Sequence, residues 1–121
     1  MFYKEDYISL DTAKLLKEKG FDEYCKSFYK EKECTNKETF YPKVTLYEVQ
    51  KWIQKKYQCH IQIIAEFYTN GINYLFQVLF YDENDYDCIS DKSSGLYGDN
   101  GEYKTYEECL DAAIREALKR I

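Results

Sequence analysis

The chain has 121 residues, 45% hydrophobic and 32% charged, the proportions of one globular domain large enough to bury a core without metals or disulfides. No apolar run is long enough to span a bilayer, and Met1-Phe2-Tyr3-Lys4-Glu5-Asp6 lacks the basic-then-apolar layout of a secretion signal, so a cytoplasmic protein with no membrane partner is expected. The net charge of −5 is uneven, +2 over residues 1–58 and −7 over residues 59–121, which sets the second half against nucleic acid.

In chain order, Ser9 is placed as the N-cap of a helix over about 10–19, stopped by Gly20. Ile8 can staple onto Ala13, and Phe21 can fold back on Leu16. Tyr24 to Tyr29 is aromatic enough for a strand, Lys30 to Glu38 reads as a loop or hairpin tip, and Phe40-Tyr41 as a short return strand before Pro42. Thr45-Leu46-Tyr47-Glu48 is a capping box, with Leu46, Val49, Ile53 and Tyr57 at helical spacing behind it, so a second helix is expected over about 46–57.

Two apolar-rich runs, 59–68 and 72–81, flank Asn70-Gly71, the dipeptide best suited to a two-residue type I′ hairpin turn. A turn centred on that pair sets Phe67 opposite Tyr74, Ala65 opposite Phe76, Ile63 opposite Val78 and Ile61 opposite Phe80, all on one face. Gln62, Ile64, Glu66 and Tyr68 with Asn73, Leu75, Gln77 and Leu79 make a mixed second face. Beyond it lies an acidic, Gly-punctuated stretch to residue 104, with a short strand expected at Tyr86 to Ser90. A second capping box, Thr105-Tyr106-Glu107-Glu108, then opens a helix over about 106–120 whose stripe is Cys109, Leu110, Ala113, Ile114, Ala117, Leu118 and Ile121.

These elements predict a single α+β domain over residues 1–121: an antiparallel sheet built on the 59–68/72–81 hairpin, with helices about 10–19, 46–57 and 106–120 packed on one face. Phe67, Phe76, Val78, Leu110, Ile114 and Leu118 are expected to share its core.

Catalytic chemistry is hard to assemble from these residues. His60 is the only histidine, and Cys59 beside it points to the other face of its strand. The five cysteines (25, 34, 59, 88 and 109) show no Cys-x-x-Cys spacing for zinc or a redox pair and are read as reduced thiols. Asp82-Glu83-Asn84-Asp85-Tyr86-Asp87 lacks the Gly and Glu positions of a calcium loop, and Gly95, Gly98 and Gly101 lack phosphate-loop spacing. No catalytic, cofactor or metal site is therefore assigned, and a small hydrolase stands a distant third among readings.

Two surfaces remain. Asp82, Glu83, Asp85 and Asp87, within a stretch of seven acids against one lysine up to Glu102, are the candidate protein-binding residues, suited to a basic partner protein. Lys51, Lys55 and Lys56 on the middle helix form the candidate nucleic-acid face of the alternative reading, which the acidity disfavours. An uncovered hairpin face would also suit a homodimer.

Tyr7-Ile8-Ser9-Leu10 with Ala13 through Phe21, Thr45 with Val49-Gln50-Lys51-Trp52-Ile53, and Thr105-Tyr106-Glu107-Glu108 with Ala117-Leu118-Lys119 together resemble a family of short uncharacterised proteins carried by phages and mobile elements of Bacteroides-like gut bacteria. The family's usual Pro before the middle Thr is Val44 here. The resemblance implies a setting, intracellular and on a phage or mobile element; its matching residues are caps and core positions, so it implies no mechanism. A non-enzymatic accessory protein of such an element, acting by protein binding, is the function expected.

Overall fold

Eight elements emerge from these patterns in the computed structural model, which describes residues 6–32, 37–69, 71–81 and 103–121, and the backbone alone of 86–90. They are α1 (Leu10–Glu18), β1 (Ser27–Lys32), β2 (Glu38–Lys43), α2 (Leu46–Tyr57), β3 (Cys59–Tyr68), β4 (Gly71–Tyr81), β5 (Tyr86–Ser90) and α3 (Tyr106–Lys119). The fold is α+β, with an antiparallel β1-β2 pair and an antiparallel three-stranded sheet in the order β3-β4-β5.

Each helix begins on the cap its sequence supplies. The side chains of Ser9, Thr45 and Thr105 accept the amides of Thr12, Glu48 and Glu108 respectively, satisfying donors that have no partner within the helix. At the end of α1, Gly20 takes φ +80°, which lets its amide donate to Lys17 O (3.1 Å) while that of Phe21 donates to Leu16 O (3.3 Å), the paired closure of a Schellman motif. Phe21 is thereby delivered edge-on to Trp52, with ring centroids 5.2 Å apart. The left-handed position that ends α2 is instead held by Gln58, at φ 52° and ψ 50°.

The starts of α1 and α2 are tied by backbone. Tyr7 bridges Thr45 antiparallel, Ile8 N donates to Val44 O and Leu46 N to Asp6 O, both at 3.0 Å. That pairing carries Ile8 and Val44, the residues just before the two caps, into the core. Packed around them are Ala13 and Leu16 of α1, Val49, Trp52 and Ile53 of α2, Cys59 and Ile61 of β3, Phe76 and Val78 of β4, and the stripe of α3 from Cys109 to Leu118. α2 and α3 thus cover the sheet face that holds Phe76, as the strand alternation predicts, while α1 packs on α3 and β2 rather than on this sheet.

Four details differ from the sequence reading. The β3-β4 register pairs Ile61 with Val78, Ile63 with Phe76, Ala65 with Tyr74, Phe67 with Ile72 and Tyr68 with Gly71, two residues away from the register that a turn centred on Asn70-Gly71 imposes. Because side chains alternate with period two, every residue keeps its face. Asn70 itself lies outside the described residues. Phe67 is not in the core: it is 79% exposed, because the hairpin outruns the helices laid across it. The first strand starts at Ser27 rather than Tyr24 and continues to Lys32, and β2 includes Pro42, on a two-stranded ribbon where a missing ladder donor is tolerated. Finally, β1-β2 forms its own sheet beside α1, held by the Lys14–Glu31 ion pair at 2.7 Å and by the ammonium groups of Lys14 and Lys17 over Tyr41, instead of extending the central hairpin.

The strand expected at Tyr86 to Ser90 is β5, which pairs Val78 with Ile89 and Phe80 with Asp87. Further along β4, Tyr74 exchanges backbone hydrogen bonds with Tyr103 at 2.8 and 3.4 Å, so the segment entering α3 continues that edge of the sheet. Tyr103 lies tilted on Phe76 and Tyr106 stands edge-on to Tyr74. Asn73, buried on the second face, accepts at its side-chain Oδ1 from the Lys104 ammonium at 2.6 Å.

Candidate functional site

The bond from Leu46 N to Asp6 O holds Asp6 against the first turn of α2, and α3 packs beside α2 with its own first turn at the same end. Between them opens a cleft of about 400 Å³ lined by Asp6, Thr45, Leu46, Tyr47, Gln50, Tyr106, Glu107 and Leu110. Leu46 and Leu110 are each 5% exposed and give it an apolar base. Tyr47 and Tyr106 stand further out, 62% and 44% exposed. Their phenol rings, with the carboxylates of Asp6 and Glu107, make an acidic aromatic rim.

Local sequence explains each placement. Thr45 and Thr105 are N-caps, so Leu46 and Tyr106 are first-turn residues and Tyr47 and Glu107 follow them at the helix mouths. Leu110 belongs to the apolar stripe of α3 that faces the core. Gln50 is fixed by its side-chain amide, which donates to Ile61 O at 3.4 Å. The Tyr47 ring already holds one cation, the Lys51 ammonium 5.0 Å from its centroid. Such a cleft can take an aliphatic-stemmed cation, its methylenes on the leucines and rings and its charge near the two carboxylates.

Of the residues singled out from the sequence, Asp82, Glu83 and Asp85 lie outside the described residues, and Asp87 is described only as a backbone position in β5 paired with Phe80. Lys51, Lys55 and Lys56 are all on the exposed side of α2. Lys56 lies 5.0 Å from the Trp52 ring centroid and 5.7 Å from that of Tyr57, so two of the three ammonium groups rest on aromatic neighbours. His60 is exposed and Cys59 buried, on opposite faces of β3. Burial pushes the Cys59 thiol up to about 11, away from thiolate chemistry near neutral pH. Burial likewise raises Cys25, with the Glu48 carboxylate adding to it. Among the described residues no group of three or more His, Cys, Asp or Glu could hold a metal ion, and no helix is long and apolar enough to cross a membrane.

Sequence reasoning missed the cleft. Its signal lies in the two capping boxes, each of which carries a tyrosine in its first turn; what brings them together is the packing of α2 on α3, across some sixty residues of chain. No family model, curated protein or solved structure matches this chain.

Proposed function

We propose that this is a non-enzymatic accessory protein that works by binding another protein, through an acidic, tyrosine-bearing surface that receives a basic segment of its partner. The observation that carries the reading is the cleft between the first turns of α2 and α3, where Tyr47 and Tyr106 flank an apolar base beside Asp6 and Glu107. Exposed tyrosines over a desolvated base are the chemistry that interfaces concentrate, since they bury area at low entropic cost and keep a polar tip for hydrogen bonding. The charge of −7 over residues 59–121, with Asp82, Glu83, Asp85 and Asp87 within it, supports a basic partner by steering its approach. The resemblance of the capped segments to phage and mobile-element proteins supports a cytoplasmic accessory role.

The test is capture from lysate at low and high salt by the wild-type chain and by Tyr47→Ala/Tyr106→Ala. Salt-sensitive capture of one protein, lost in the double variant, is expected. Capture of DNA or RNA that depends on Lys51, Lys55 and Lys56 would instead establish the nucleic-acid reading and overturn this one.

A further inference from the structure

The outer edge of β3 offers a second surface, independent of the cleft. Among the described residues no strand pairs with it, since β3 stands at the end of the order β3-β4-β5. The direction of its backbone groups follows from the ladder. Tyr74 donates its N–H to Tyr103 and accepts from it at its C=O, away from β3, so Ala65, its partner across the ladder, directs its own pair the opposite way, off the outer edge. By the two-residue alternation Ile61, Ile63 and Phe67 do the same. The Ile61 carbonyl obeys this rule: it is met at that edge by the Gln50 side chain of α2, 3.4 Å away. Beyond Ile61 the strand has no proline, lysine or bulge from Gln62 to Tyr68, and Glu66 is its single charge. It also ends in an apolar side chain left in water, Phe67.

We propose that this edge pairs with the same edge of a second copy of the chain, antiparallel about a twofold axis at Ala65, joining two three-stranded sheets into one of six strands. An antiparallel strand is its own complement under a twofold axis, so one surface serves both partners. Centring on Ala65 pairs Ile63 with Phe67 of the second copy, every one of them an outward-pointing residue. It leaves the occupied carbonyl of Ile61 outside the new ladder. Glu66 falls opposite Ile64, so the two Glu66 side chains are diagonal neighbours rather than directly opposed. Phe67 is covered on the same sheet face by the partly buried Ile63 of the other copy.

Sedimentation of the wild-type chain in reductant across a concentration series should show a reversible shift from one chain mass to two, with amide exchange at Ile63, Ala65 and Phe67 slowing as the larger species forms. Ala65→Pro, which removes an outward donor and no bond to β4, should abolish the doubled mass. Phe67→Lys, at a position already in solvent, should do so with unchanged circular dichroism, which guards against a proline variant that misfolds. A wild-type chain that stays at one chain mass at every concentration overturns the proposal. So does a doubled mass that survives both substitutions with exchange at the three amides unslowed.

Discussion

Oδ1 of Asp111, in the second turn of α3, accepts the backbone N–H of Ser9, the N-cap of α1, at 2.9 Å. The two residues are 102 positions apart, yet the bond does for α1 what a local capping box does elsewhere, and it places a carboxylate at the positive end of the helix. At the other end of the same two helices the Lys19 ammonium meets Ile121 O at 2.6 Å, so α1 and α3 are pinned at both ends of their contact. The Asp111 side chain is only 14% exposed, and its second oxygen lies 3.5 Å from Arg115.

Asp111→Ala should therefore lower the unfolding free energy by about 1.5 to 3 kcal/mol, the range for a hydrogen bond to a charged group whose partner is left without an acceptor. Asp111→Asn, which keeps an acceptor oxygen, should recover part of the loss. Urea denaturation of the three proteins measures this, and an alanine variant as stable as wild type would show that water replaces the carboxylate at no cost.

The two helix stops predict opposite signs. Gln58 holds a left-handed conformation that disfavours a side chain, so Gln58→Gly should stabilise the fold by roughly 0.5 to 1 kcal/mol. Gly20 is at φ +80° with nothing within 4 Å of where a methyl group would sit, so Gly20→Ala meets no clash and should cost about 1 kcal/mol from backbone strain alone. Matched thermal melts decide both; a stabilised Gly20→Ala would contradict the Schellman geometry.

Two phenylalanines on one sheet face separate burial from alternation. Phe76 is 1% exposed beneath α3, so Phe76→Ala should cost about 3 to 5 kcal/mol. Phe67, 79% exposed on that face, should change stability by no more than about 0.5 kcal/mol on truncation in the isolated chain. Chemical denaturation of dilute samples checks the contrast, and equal losses at the two positions would mean that the hairpin end is covered in solution.

That contrast also marks what can be read in the sequence. Caps and periodicity are local, so Ser9, Thr45, Thr105 and the stripes behind them place all three helices, and the parity of β3 and β4 chooses the face that holds Phe76. The register is not local. Asn70-Gly71 favours one pairing, but the pairing adopted sets Ile61 opposite Val78 and Ile63 opposite Phe76, grouping the branched and aromatic side chains beneath the helices, and core burial outweighs a turn preference. Alternation alone misplaces Phe67 because strand and helix advance differently: fourteen helical residues span roughly 21 Å at 1.5 Å each, whereas eleven strand residues span roughly 36 Å, so β4 and its partner outrun α3. The cleft and the Ser9–Asp111 bond depend on how helices far apart in sequence meet, which no single segment encodes.

Cys59 makes the protein sensitive to alkali. Burial raises its thiol from about 9 to about 11, so between those values the unfolded chain releases a proton that the folded chain retains, and stability falls as pH rises. The contribution is fully present below pH 9 and is lost progressively toward pH 11, an effect of about 2 to 3 kcal/mol for two pKa units. Burial also raises Tyr29, whose hydroxyl donates to Ile8 O, with the Asp111 carboxylate acting in the same direction, so the phenol adds to the slope. Cys59→Ala should flatten the pH dependence of the melting temperature above pH 9 without removing it. An unchanged slope would assign alkaline unfolding to other groups.

The proposed binding cleft gives the last prediction. If a basic segment enters the cleft, its stem rests on Leu46, Leu110 and the two tyrosine rings, while Asp6 and Glu107 supply charge at the rim. Ring and carboxylate should then separate experimentally. Tyr47→Ala/Tyr106→Ala removes contact area and should speed dissociation at every salt concentration, because apolar contact is not screened. Asp6→Asn/Glu107→Gln leaves the shape intact and should slow association chiefly at low salt, the loss shrinking as the Debye length falls to about 8 Å at physiological ionic strength. Neutralising Asp82, Glu83, Asp85 and Asp87 should add to that low-salt loss if the acidic stretch steers the same partner. Surface-immobilised kinetics with the captured protein, run across a salt series, reads both rates. Variants of both kinds that leave association and dissociation unaltered would remove the cleft from the mechanism, whereas loss confined to the four-acid variant would move the contact to the acidic stretch.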